Sequence, residues 1–109
     1  MSDSWIVDLR HFLDANGSIA PKAGRARRLA RHFARIVQEI TADIGDVTYF
    51  PKARCRRRPN RKPCPGEIDS ILDPETGAIV WACPICGDNG SIQGWEDTFW
   101  DFSNVPERN

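Results

Sequence analysis

The sequence predicts a small α+β protein in which an N-terminal pair of helices packs on a small antiparallel β-sheet. Two stretches before residue 45 repeat apolar residues at intervals of three and four, as amphipathic helices do. Residues 67 to 82 have the pattern of a β-hairpin, with a turn sequence between two strands. All four cysteines of the chain follow residue 54, which sets its second half apart chemically.

The first predicted helix starts at a capping residue, for which Ser2, Asp3 and Ser4 are all suitable. Asn16-Gly17 is expected to end this helix, because glycine readily adopts the left-handed conformation found after a last helical turn. The apolar positions at helical spacing between these ends are Trp5, Ile6, Leu9, Phe12 and Leu13.

The second predicted helix begins at Pro21, a residue that suits the first turn, and ends near Gly45. At 100° per residue its apolar side chains fall within an arc of about 120°, with a basic stripe on the opposite side. We expect both apolar faces to pack as a helical hairpin or against the sheet. The apolar set is Ala26, Leu29, Ala30, Phe33, Ile36, Val37, Ile40 and Ile44, and the stripe contains Arg27, Arg28, Arg31 and Arg35.

Three patterns predict the sheet. Residues 46–50 are rich in β-branched and aromatic side chains and are expected to form a strand that ends at Pro51. Residues 67–73 and 78–82 form a hairpin, in which Pro74 fixes one φ angle and Gly77 can take the left-handed position. Residues 91–93 can add a third short strand.

The cysteines have the number and spacing expected of a tetrahedral metal site. Cys83 and Cys86 are separated by two residues, so that one tight turn can point both sulfur atoms at the same ion. Cys55 and Cys64 are eight residues apart and would enclose a loop. In a reducing compartment such a set favours metal binding over disulfides. We predict one structural Zn²⁺ bound by Cys55, Cys64, Cys83 and Cys86, in a closed shell that leaves no position for a catalytic water.

The segment Trp81-Ala82-Cys83-Pro84-Ile85-Cys86-Gly87 resembles the second knuckle of zinc ribbons and of rubredoxins. This resemblance covers roughly residues 50 to 95 and implies a zinc-ribbon-like antiparallel sheet around the metal. Rubredoxins bind a redox-active iron through two Cys-x-x-Cys-Gly turns. The first of these turns is absent here, so the pattern favours zinc over an iron electron carrier. The whole chain also resembles small bacterial proteins to which no activity is assigned.

These patterns divide the chain into a helical hairpin, residues 1–45, and a zinc-ribbon-like module, residues 46–109, which we expect to form one compact unit. The formal net charge is zero, but residues 20–62 carry +10 and residues 63–109 carry −8. This separation is typical of a chain with a nucleic-acid partner, and equally of two segments that attract each other.

The candidate nucleic-acid-binding residues lie in the loop between the first two cysteines and immediately before it. Zinc ribbons commonly present such loops to DNA or RNA, whose phosphates bind arginine. Alternatively, the cluster balances the charge of −2 on a zinc tetrathiolate or pairs with the acidic C-terminal segment. The sequence does not distinguish DNA from RNA. The residues concerned are Arg54, Arg56, Arg57, Arg58, Arg61 and Lys62.

The segment Trp95–Phe102 combines large aromatic side chains with carboxylates and suggests an alternative function, a protein-interaction adaptor. The competing and favoured interpretation is that Trp95, Phe99 and Trp100 cover the chain's own sheet. An enzyme is not expected. His11 and His32 are isolated on predicted helices, and the sequence contains no phosphate-binding glycine loop, HExxH or serine-nucleophile motif.

The expected location is cytoplasmic, without membrane association. The N-terminal residues lack the basic and apolar pattern of a signal peptide. No stretch approaches the roughly 20 apolar residues that cross a bilayer.

Overall fold

The computed structural model describes residues 4–44 and 52–103, and shows a four-stranded mixed sheet with one long helix packed on it. The strand order is β1-β4-β3-β2. No helix in the described part is long and apolar enough to cross a membrane. The elements are β1 (Ser4–Asp8), a 3-10 turn (Leu9–Phe12), α1 (Gly24–Ile44), a second 3-10 turn (Pro59–Arg61), β2 (Asp69–Leu72), β3 (Ile79–Ala82) and β4 (Asn89–Gln93).

The predicted N-terminal helical pair is wrong, because the residues of its first helix form β1 and a 3-10 turn. Apolar residues at positions 5, 9, 12 and 13 fit a helix, but Trp5, Val7 and Leu9 also alternate as in a strand. A short apolar run can fit both the helical period of 3.6 residues and the strand period of 2, and tertiary contacts then determine which structure forms. Here β4 offers β1 an open edge along its whole length.

The sheet is mixed rather than antiparallel. β1 runs parallel to β4, with Ser4 opposite Asn89 and Asp8 opposite Gln93, whereas β4–β3 and β3–β2 are antiparallel. A parallel partner needs a long connection. That connection contains α1, which packs on the inner face of the sheet.

Asn16-Gly17 belongs to a tight turn and not to a helix end. The Asp14 carboxylate accepts hydrogen bonds from the backbone N–H groups of Asn16 and Ser18, and Asp14 N–H donates to the Ser18 carbonyl. Gly17 has φ +79°, a conformation that favours glycine. The turn folds residues 13 and 19 beside each other as an isolated β-bridge.

The second predicted helix is present as α1, which begins at Gly24, three residues after Pro21. Phe33, Ile36 and Val37 are fully buried, in agreement with the predicted apolar face. Ala26, however, is exposed. Ala34 and Thr41, outside the predicted face, are buried.

The predicted hairpin is confirmed by the antiparallel pairing of β2 with β3. The Asp73 carboxylate accepts from Glu75 N–H and Thr76 Oγ1, and Gly77, with φ +77°, closes the turn on the Asp73 carbonyl. The predicted strand at residues 91–93 is part of β4. The predicted strand at 46–50 and the predicted boundary between residues 45 and 46 lie outside the described residues.

The centre of the core is Trp81, which is 1% exposed. Its ring lies 6.1 Å from Phe33 of α1, and Phe33 lies 5.9 Å from Trp5 of β1. The backbone of Gly90 occupies the narrow space between Trp5 and Trp81, which are its neighbours on β1 and β3. Burial of large aromatic side chains supplies much of the stability of a core this small.

The C-terminal segment packs back on the fold. Trp95 is 5% exposed and its indole N–H donates to the Gly77 carbonyl at 2.9 Å. The Thr41 hydroxyl of α1 accepts from the Phe102 N–H at 3.0 Å and lies 3.3 Å from the Trp100 carbonyl, while it donates to the Val37 carbonyl of its own helix. Phe99 differs, since it is 84% exposed. The segment is therefore anchored to the hairpin and to α1, with one aromatic ring left in solvent.

We expect Gly90→Ala to lower the free energy of unfolding by about 1–3 kcal/mol, as overpacking commonly does. An added Cβ would lie 2.5 Å from the Trp5 carbonyl oxygen and 3.1 Å from the Trp81 ring. The measurement is urea unfolding at equilibrium. Ser91→Ala, on the opposite face of the same strand, is the control and should change stability by less than about 0.5 kcal/mol. An unchanged stability of Gly90→Ala would contradict the close pairing of β1 with β4.

Candidate metal centre

The four cysteines converge on one point. Their sulfur atoms all lie within 4.8 Å of one another, with Cys55 Sγ 3.6 Å from Cys86 Sγ and Cys64 Sγ 3.7 Å from Cys83 Sγ. A tetrahedral site with metal–sulfur bonds of about 2.3 Å requires sulfur atoms about 3.8 Å apart. The four predicted ligands are thus positioned to bind one metal ion.

The knuckle of Cys83 and Cys86 follows directly from β3. Cys83 N–H donates to the Asp88 carbonyl at 2.7 Å, and Gly87 N–H donates to the Cys83 carbonyl at 2.9 Å. Gly87 has φ +82°, which lets the chain reverse within four residues and continue into β4. Both sulfur atoms therefore face the interior of the same turn.

The other two cysteines lie on a narrow backbone arm, although eight residues separate them. Ile68 N–H donates to the Ala53 carbonyl, Cys55 N–H to the Gly66 carbonyl and Cys64 N–H to the Arg57 carbonyl, all at 2.8–2.9 Å. These bonds place residues 53–57 antiparallel to residues 64–68. The loop between them is held closed at its base by both ligands and by the backbone.

Gly66 is a functional position that the sequence reasoning missed. A Cβ at this residue would lie 2.5 Å from Cys83 Sγ and 2.9 Å from the side chain of Ile85. Its N–H also donates to Cys64 Sγ at 3.4 Å. A glycine two residues after a ligand cysteine is the sequence signal that could have identified it.

The sulfur atoms differ in their electrostatic surroundings. Burial raises the pKa of the Cys55 thiol, and the Arg57 N–H opposes this effect. Burial acts in the same direction on Cys83, but the N–H groups of Cys86 and Ile85 donate to its sulfur and hold its pKa below the ordinary value. Adjacent thiolates also repel each other. A bound cation would relieve that repulsion and displace the remaining protons, so metal affinity should increase with pH.

The six candidate nucleic-acid-binding residues are all exposed and all lie on this arm and its loop. Arg56 has its guanidinium 5.1 Å from the centre of the Trp5 ring, and Arg57 lies 3.9 Å from the Asp88 carboxylate. Arg58 donates to the Arg61 carbonyl across the tip of the loop at 3.1 Å. The cationic side chains are thus carried by a loop with its own internal contacts.

A buried polar cluster beside the metal centre was also missed. His32 Nε2, Trp81 Nε1 and Asp88 Oδ2 are buried and have no hydrogen-bond partner among the described residues. The His32 ring contacts Trp81 edge-on at 5.9 Å. Burial lowers the pKa of His32 to about 4, the Arg56 charge adds to this effect, and Asp88 opposes it. The sequence assigned His32 only to a helix surface or to packing, because its partners are distant in the chain.

We expect Gly66→Ala to lower the affinity for Zn²⁺ about 10- to 100-fold, as changes next to metal ligands commonly do. The added methyl group would displace Cys83 Sγ from its position. Competition titration against a chromophoric chelator measures the affinity. Pro65→Ala, at the exposed neighbouring position, is the control and should bind as the native protein does. Equal affinities of all three proteins would show that the sulfur positions described here are not those of the metal-bound state.

His32 should make the protein less stable in acid. Its pKa is about 4 when folded, below the ordinary value of 6.5. The unfolded chain therefore binds a proton that the folded protein rejects as the pH falls from about 6.5 to about 4. This difference in proton binding should lower the free energy of unfolding by about 2 kcal/mol between pH 7.5 and pH 5. His32→Leu should remove it, and urea unfolding at both pH values with excess metal measures the difference. Parallel loss of stability in both proteins would contradict the assignment to His32.

Comparisons with protein-family models, with curated proteins and with solved structures found no match to this chain.

Proposed function

We propose that this is a non-enzymatic zinc protein. Its four-cysteine centre fixes the position of an arginine-rich loop, and this loop binds nucleic acid. One observation carries the proposal. The loop that Cys55 and Cys64 close at its base exposes every one of its cationic side chains to solvent.

Zinc is the metal that we assign to the centre. Four cysteine sulfurs in tetrahedral positions are typical of structural zinc sites, which use all their coordination positions for protein ligands. Cys64 and Cys83 are buried and the other two cysteines are half-buried. When bound, zinc would supply a fixed cross-link between the arm and the β3–β4 knuckle, without redox chemistry. A cytoplasmic location, where thiols stay reduced, would suit such a centre.

The charge of the loop supports a polyanionic partner. Among the described residues, Asp88 is the one acidic residue that forms a salt bridge with the loop. It is buried and contacts Arg57. A zinc tetrathiolate with a charge of −2 would balance part of the cluster, but more cations than that are present. Arginine and lysine side chains that meet phosphates release condensed counterions, which favours binding strongly at low salt.

The alternative of a protein-interaction adaptor has less support. Trp95 donates its indole N–H within the fold, and the backbone around Trp100 is bonded to Thr41. These aromatic residues therefore hold the C-terminal segment on the protein's own surface, and Phe99 alone of the three projects into solvent.

We expect Arg58→Gln with Arg61→Gln to weaken nucleic-acid binding and to reduce its dependence on salt. Each lost phosphate contact should lower the slope of log K against log salt concentration by about 0.7 to 0.9. Fluorescence anisotropy with labelled oligonucleotides at several salt concentrations measures both quantities. Elemental analysis of the protein purified without added metal should give one zinc per chain. Removal of this zinc with a chelator should weaken binding as well, because it releases the base of the loop.

The control is Lys22→Gln with Lys52→Gln, which removes two exposed positive charges outside the loop, of which Lys52 is paired with Asp69. This variant should bind nearly as the native protein does. Equal weakening in the control, or no salt-dependent binding by the native protein, would contradict the proposal.

A further inference from the structure

The first half of α1 is strongly positive, a charge distribution that destabilises an isolated helix. The first twelve residues of α1, 24–35, contain five arginines and no acid, and no acidic residue lies in its first turn. Positive charge is unfavourable at the N-terminal end of a helix dipole, and like charges four residues apart repel. Such local conflicts are expected where a surface serves a ligand. The arginines are Arg25, Arg27, Arg28, Arg31 and Arg35.

Three of these arginines line a groove between α1 and the C-terminal segment. Arg27, Arg31 and Arg35 follow one another at four-residue intervals, which places them about 6 Å apart along the helix axis. The groove has a volume of about 440 Å³, and Ile19, Ala34, Gln38 and Trp100 complete its walls. None of the described residues that line it is acidic.

An aromatic ring marks the end of this groove. A second cavity of about 290 Å³ shares Ile19, Arg27 and Trp100 with the groove and adds Phe99. The Phe99 ring is 84% exposed and lies 6.0 Å from the Trp100 ring, at an angle of 67°.

The segment that carries these rings is fixed in place. Thr41 Oγ1 contacts the Trp100 carbonyl at 3.3 Å and the Phe102 N–H at 3.0 Å, and Arg10 donates to the Gly94 carbonyl at 3.0 Å. An exposed ring on an anchored backbone can stack on a flat partner without a large loss of conformational freedom.

We propose that this groove binds a single strand of nucleic acid, with phosphates on Arg27 and Arg31 and an unpaired base stacked on Phe99. Cationic grooves that end in exposed aromatic rings are suited to single strands, because every base has a face that can stack. A paired base inside a duplex does not offer that face. The inference goes beyond the proposed function, because it adds a second site formed by other residues than the loop and names single-stranded nucleic acid as its ligand class.

The experiment compares two probes, a twelve-nucleotide oligothymidylate and inorganic polyphosphate of similar charge. Arg27→Gln with Arg31→Gln should weaken binding of both probes and lower the salt slope for the oligonucleotide by about 1.4, for two lost contacts. Phe99→Ala should weaken oligonucleotide binding at least about fivefold, in the range for loss of one stacked base. It should leave polyphosphate binding unchanged, and Phe99→Trp should restore the oligonucleotide affinity.

Several results would overturn the groove as a single-strand site. The first is that Phe99→Ala weakens the binding of both probes equally, and the second is that the groove variants bind as the native protein does. The third is tighter binding of an acidic peptide than of the oligonucleotide. The fourth is that Lys22→Gln with Lys52→Gln weakens oligonucleotide binding as much as the groove variants do. Circular dichroism of each variant verifies its fold, and Phe99→Trp provides a second test at the exposed position.

The loop variant Arg58→Gln with Arg61→Gln separates the two proposals. If it weakens oligonucleotide binding and the groove variants do not, the groove inference fails and the role of the loop stands. If only the groove variants weaken binding, the groove stands and the role of the loop fails.

Discussion

The convergence of four cysteine sulfurs is the constraint on which the rest of this structure depends. Two of them come from an arm formed by residues 53–68 and two from the turn between β3 and β4. Adjacent thiolates repel one another, so a shared cation would stabilise their common position. That cation would tie the arm to the sheet, because the backbone hydrogen bonds of residues 53–68 run mostly within the arm. The exposed loop then has a fixed place relative to β1 and α1.

The metal centre and the apolar core are in contact rather than separate. Cys64 and Cys83 belong to the same buried cluster as Trp81 and Phe33. Arg56, next to the ligand Cys55, covers the Trp5 ring of β1. A disturbance at the metal therefore reaches the aromatic centre of the protein directly. A small sheet with one covering helix gains stability from such a cross-link, since its core alone buries limited apolar surface.

Local features of the fold could be predicted from the sequence, and non-local ones could not. The helix α1 has a long period-3.6 pattern, and the hairpin depends on Asp73 and Gly77 within one turn, so both were identified. The knuckle at Cys83 was equally local. β1 was taken for a helix because its pairing with β4 lies 85 residues away. The arginine stripe of α1 was identified, but the groove that it lines was missed for the same reason, since Trp100 reaches α1 only in the folded chain.

The parallel pairing of β1 with β4 has a consequence for how the protein is made. During synthesis β1 emerges first, but its partner emerges only after all four cysteines have been translated. The hairpin of β2 and β3 and the metal centre can assemble before β4 is complete, since their contacts are closer in sequence. β1, with Ile6 exposed on its outer side, must wait for that edge. Non-local strand pairing of this kind is slow, so the ribosome-bound chain would carry β1 unpaired until β4 has emerged.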